Sequence, residues 1–269
     1  MSKPHFGKWG LRDYLYYQFN LGETTESSHN TPVQVARQKS PRLDTYEIGL
    51  IATRQFDADR VLALFARTMR KHLPNSSRHR FTAYGLDQAW RPQQLFDEVH
   101  WFDDNASSPL PHKILVSLGR LVHIHLPEIS NAQLQSEFRT NHWSSEGAMV
   151  EFWASLYLSR ELCCLFELDW ESYFLWQPRI SCVAKVNTGW GVSPSAAVDA
   201  LLASADATNQ NHSDGEILVI EGGISSSIGD YVNILNALEG NFEFNFVTTS
   251  WVSPNYLGYG LKLLRFRPT

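Results

Sequence analysis

None of the short signatures that name a reaction outright is present in this chain. There is no HExxH or CxxC to hold a metal, and no GxSxG turn to carry a nucleophilic serine. Cysteine is scarce, at three residues, which excludes a disulfide framework. Cys163 and Cys164 are adjacent and cannot readily bridge each other, and Cys182 stands alone. Such thiols read as inert, buried and kept in a reducing compartment. Long apolar runs are missing too. The stretch MSKPHFGKWGLRDYLYYQFN carries charges where a secretory signal needs apolar residues. The most apolar region, EFWASLYLSRELCCLFEL, is broken by Arg160 and Glu161 and is a poor bilayer span. These absences predict a cytoplasmic protein with no membrane association.

What is present suffices for a core. The chain has 269 residues, 43% hydrophobic and 19% charged, a globular composition long enough to bury a sizeable interior. The net charge of −5 is unevenly spread. Residues 1–80 hold 13 Lys and Arg against 7 Asp and Glu, while 87–171 hold 13 acids against 5 bases. That middle also carries Trp90, Trp101, Trp143, Trp153 and Trp170. Phosphate backbones require a basic footprint, so this acidic, indole-rich region argues against direct nucleic-acid binding.

Periodicity gives the organisation. Residues 22–42 are polar, with Pro32 and Pro41, and read as a long loop. DTYEIGLIAT reads as a strand, FDADRVLALFARTMRKHL as a helix capped by Asp57, and RFTAYGL as a second strand. The pattern recurs later: RISCVAKVN, a helix opened by Ser193 and Pro194, then GEILVIE. Between them, SNAQLQSEFRTNHW and SEGAMVEFWASLYLSR read as helices capped by Ser130 and Ser145. NFEFNFVTTSWVS and LGYGLKLLRFR close the chain as alternating stretches expected to pair antiparallel. The expectation is an α+β fold over 1–269: two strand–helix–strand units, a mixed or antiparallel sheet, and a helical aromatic-rich middle. The halves 43–125 and 175–269 are related in pattern, not in residues.

One loop raises a phosphate question. In EILVIEGGISSSIGDYVNILNAL a strand meets two glycines and then a helix, the layout of a phosphate cradle. No Lys or Arg follows Gly223, and the spacing of Gly222, Gly223 and Gly229 does not fit the dinucleotide fingerprint. Ser227 and Asp230, three apart, instead predict a capped helix start. The sequence therefore assigns no cofactor.

Two constellations remain. LVHIHLPE places His123 and His125 on one strand face, where Glu128 or His142 could complete a metal site. Alternation also fits a half-exposed strand with both imidazoles in solvent. FDEVHWFDDN concentrates Asp97, Glu98, Asp103 and Asp104 around Trp101 and Phe102. Aromatics framed by acids suit an interface anchor, with Trp90 and Trp143 as further anchors, and the acids would steer a basic partner.

In its mildly acidic, Trp- and Tyr-rich composition without catalytic signatures, the chain resembles the immunity proteins of bacterial polymorphic-toxin and type VI secretion systems. That resemblance implies a non-catalytic inhibitor that occludes a cognate toxin, such as a nuclease with a basic cleft. It carries over no functional residue. The alternative is a metal-dependent hydrolase or nuclease-like enzyme built on His123, His125 and nearby acids.

Overall fold

A computed structural model describes residues 46–72, 79–88, 95–102, 112–127, 139–143, 145–162, 164, 182–205, 215–239 and 246–268. The chain divides into Met1–Arg42 and Leu43–Thr269, and every described residue belongs to the second unit. Among the described residues nine strands form one sheet: β1 (Tyr46–Ala52), β2 (His79–Gly85), β3 (Phe96–Phe102), β4 (Gly119–Pro127), β5 (Arg139–Trp143), β6 (Cys182–Gly191), β7 (Gly215–Gly222), β8 (Phe246–Val252) and β9 (Tyr259–Pro268). Their order is β2-β1-β3-β4-β5-β6-β9-β7-β8. Every neighbouring pair is parallel except those made by β9, which runs antiparallel to β6 and β7.

A largely parallel sheet must be covered on both faces. One face carries α1 (Gln55–Arg70) and α3 (Glu146–Glu161), packed on Ile48, Leu50, Val219 and Leu264. The other carries α2 (His112–Leu118), packed against Ile51, Val99, Trp101 and Ile124. On that same face α4 (Pro194–Ser204) lies directly on β6. A Cβ at Gly189 would sit 2.3 Å from the Ala197 carbonyl oxygen, so only glycine admits this approach. α5 (Ile228–Glu239) packs beside α4. α3 is buried nearly all round, from Met149 to Ser159, as expected of a helix hydrophobic on every side. It is the shared core element, reaching both α1 and the β7–β8 edge.

The expected mixture of helices and strands is present, but several local expectations are corrected. β8 pairs parallel with β7, and β9 inserts between β6 and β7, so the two C-terminal stretches are not neighbours. The helix expected to end at Trp143 ends instead in strand β5, while Ser130 lies outside the described residues. Asp57 does not cap α1. It lies in the first turn, and its carboxylate accepts from Arg54 Nε at 2.7 Å. Ser145 and Ser193 do cap α3 and α4, accepting from the Ala148 and Ala196 amides.

Candidate functional site

The acidic, aromatic stretch expected on the surface is strand β3 in the middle of the sheet, buried at all seven positions. Alternation divides its side chains. Val99 and Trp101 point into the α2 layer, and Trp101 is only 2% exposed. Glu98, His100 and Phe102 point the other way, toward α1 and α3. Asp97 is buried and accepts from the Glu47 amide. Trp143 is buried on β5, and Trp90, Asp103 and Asp104 lie outside the described residues. Asp97, Glu98, Trp101, Phe102 and Trp143 therefore form no exposed patch. Local charge density suggested solvent, but a central parallel strand has no solvent face.

His123 and His125 are also buried, not solvent-facing. Parallel register sets His100 beside His123 and Phe102 beside His125. Glu98, His100, His123 and His125 thus meet in one apolar layer under Trp153, whose ring centroid lies 4.6 Å from that of His123. His123 Nε2 lies 2.5 Å from Glu98 Oε1, and the Tyr46 hydroxyl donates to Glu98 Oε2 at 3.1 Å. The second chain of contacts has its proton positions fixed by chemistry. Trp143 Nε1 can only donate, and it does so to His125 Nδ1 at 2.9 Å. His125 therefore carries its proton on Nε2 and donates it to His100 Nδ1 at 2.8 Å. His100 in turn carries its proton on Nε2, directed at the Tyr157 oxygen 2.5 Å away.

That polarity decides what the cluster can do. Glu98, His100 and His123 offer ligand atoms within 4.8 Å of one another and are fully buried, the composition of a zinc site. A metal needs a lone pair on His100 Nε2, and the relay from Trp143 puts a proton there. His100 Nδ1 is already accepting. Two ligands remain, too few for a closed site. His142 lies on β5 but its side chain is not among those described, and Glu128 is outside the described residues. The cluster is a hydrogen-bond network inside the core. His100, Tyr157 and Tyr46 were missed from sequence; the β-formers of FDEVHWF were the signal that this run is a strand.

The other candidate place is the rim at the carboxyl ends of the strands. Strand order reverses at β1, which has β2 on one side and β3 on the other, and parallel sheets bind ligands outside such a switch point, between β1 and β3. Helix starts here offer amides to anions. At α1, the Gln55 amide donates to Asp87 Oδ1 at 2.9 Å. A Cβ at Gly85 would lie 2.0 Å from that amide nitrogen, so glycine permits the approach. At α5 the Gly222–Gly223 turn leads into a reciprocal capping box. Ser227 accepts from the Asp230 amide, and Asp230 accepts from the Ser227 amide and hydroxyl. Those Ser227 bonds hold the Asp230 carboxyl below its usual range. The opening phosphate question is answered by this geometry: the chain's own carboxylates take both anion seats. Ser227→Ala is expected to cost about 1 kcal/mol in urea unfolding, the usual worth of an N-cap.

No protein-family model matches this sequence, and no curated protein does. Solved structures do match. CetZ from Methanosaeta thermophila strain DSM 6194 superposes with a TM-score of 0.51 at 9% identity, covering 82% of this chain and 86% of that one. CetZ2 from Haloferax volcanii, a GTPγS-bound protofilament, gives 0.50 at 9% identity, covering 83% of this chain and 93% of that one. An empty FtsZ dimer from M. jannaschii gives 0.49 at 11%, and the match spans 63% of that chain, less than two thirds. These findings overturn the immunity-protein reading and, with it, the toxin inhibitor, the type VI secretion assignment and the expectation of a non-enzyme. The metal-hydrolase alternative fails as well, since His125 has given up its lone pair to Trp143. Among the described residues no helix is long and apolar enough to cross a membrane. What the likeness shows is the fold, which is that of the CetZ structures.

Proposed function

We propose that this chain is a cytoplasmic protein that assembles head to tail into filaments and binds a guanine nucleotide at the carboxyl rim of its sheet. The observation that carries the reading is the extent of the CetZ match: more than four fifths of this chain, and 86–93% of the two CetZ chains. One of those two is a GTPγS-bound protofilament. A fold shared by many functions supports such a reading only as analogy. The switch point between β1 and β3 is a second support, because open parallel sheets commonly bind ligands outside such a point.

The local chemistry constrains where a nucleotide fits. Asp87 holds the first amide of α1, and Asp57 and Asp59 lie within its opening turns. Phosphates set there would meet three carboxylates. The start of α1 is therefore not the phosphate seat of this reading. Head-to-tail contacts are heterologous and do not close on themselves, so assembly should grow with protein concentration.

The test is sedimentation and electron microscopy of the purified full chain with and without GTPγS, beside equilibrium dialysis of GTPγS. Filaments whose yield rises with GTPγS support the proposal. A monodisperse monomer that retains no GTPγS at any concentration overturns it.

A further inference from the structure

We propose that a cavity between the end of α1, the middle of α3 and the β7–β9 strands binds a small oxyanion, a carboxylate or phosphate. The cavity measures about 160 Å³, room for several waters or one small ligand.

Its floor is built, not incidental. Glu221 on β7 is buried, and its Oε1 accepts from the Ser155 hydroxyl and from Lys262 Nζ, both at 2.6 Å. Its Oε2 accepts from the Tyr256 hydroxyl at 2.8 Å. Trp251 Nε1 donates to the Ser155 oxygen at 3.0 Å, which holds that hydroxyl toward the carboxylate. Glu221 is therefore supplied with donors from three directions and needs nothing from a ligand.

The groups left over are donors. Lys262 uses one of its three N–H bonds on Glu221, and Lys71 makes no ion pair among the described residues. Both line the cavity, with the hydroxyl of Thr68 beside them. His72 Nδ1 is buried and makes no hydrogen bond among the described residues. Burial holds His72 below the ordinary imidazole value against the pull of Glu221, and Nδ1 donates in the tautomer that carries its proton there. Its ring centroid lies 4.8 Å from that of the Trp251 indole, with the two planes tilted by 57°. Glu151 is the one carboxylate at the rim not already tied to Lys262, Ser155 and Tyr256. Spare donors thus outnumber spare acceptors, the pattern that selects an acceptor-rich ligand. The walls come from α1 and α3 on one side and from β7–β9 on the other, so a bound anion would tie these elements together.

The test is calorimetric titration of the full chain, separately with sodium benzoate and with inorganic phosphate, at constant ionic strength set by chloride. One saturable site for either probe is expected, and the better probe distinguishes a carboxylate from a phosphate ligand. Removing one charged or buried hydrogen-bond partner should weaken binding about tenfold in Lys71→Ala and in His72→Phe. Thr68→Val serves as a third variant should His72→Phe fail to fold, with the thermal midpoint of each recorded. No saturable binding of either probe, or binding unchanged in the folded variants, overturns the proposal. Neither readout involves GTPγS or filaments, so failure of the assembly reading leaves this one standing, and the reverse.

Discussion

Glu98→Ala is expected to lower the unfolding free energy by about 3–5 kcal/mol, the cost of leaving buried polar partners uncompensated. Two groups would lose their acceptor at once: His123 Nε2 and the Tyr46 hydroxyl. Neither can turn to water, because Glu98 and His123 are fully buried beneath Trp153. The deletion also opens a void under an indole, which adds to the cost. Glu98→Gln keeps an oxygen in nearly the same place and should lose markedly less. Urea unfolding of the two variants beside the wild type separates the terms. A loss below about 1 kcal/mol in Glu98→Ala, the range of ordinary surface changes, would show that the pair is not held in this core.

The second large effect concerns Lys262→Met and is pH-dependent. Burial opposes the charged form of Glu221, but the Lys262 ammonium, Ser155 and Tyr256 outweigh it and hold the carboxyl below its usual value of 4.5. A carboxyl depressed in the folded state contributes stability that is fully present above the unfolded value and is lost as pH falls through the folded one. Removing Lys262 leaves a buried carboxylate without its counter-ion, at a cost of about 3–5 kcal/mol at pH 7. Below the unfolded value the same carboxyl can take a proton, so the variant's deficit should shrink. Urea unfolding of wild type and variant at pH 7 and pH 4 measures that difference and cancels the other acids. An equal deficit at both pH values would sink the assignment of the Lys262–Glu221 pair.

The two buried clusters differ in how they could be read beforehand. Ser145, Ser193 and Ser227 were legible as caps because capping is decided within four residues, by one side chain and one amide. The strand–helix–strand segments at 46–85 and 182–222 were legible for a similar reason, as their periods are local. β3 was not. Its Asp97 and Glu98 have the composition of an exposed turn, and only the partners on either side, β1 and β4, bury them. The same holds for His123 and His125, whose alternation fits a half-exposed strand equally well until α3 is laid over them.

Along the carboxyl ends of the strands the division is similar. The spacing of Ser227 and Asp230 predicted a capped helix start, and the capping box is present. That Asp87 holds the start of α1 was invisible, because residues 55 and 87 meet only once β2 lies parallel to β1.

By itself the sequence determined the starts of α3, α4 and α5, the two strand–helix–strand segments and the want of a diagnostic catalytic motif, all properties of neighbours along the chain. Tertiary structure alone decided which face each histidine and acid occupies, where β9 inserts, and that the sheet is the one found in CetZ proteins. The physical reason is that burial and strand pairing are set by contacts between residues tens of positions apart. A charged side chain carries no local sign of whether a partner or water will meet it.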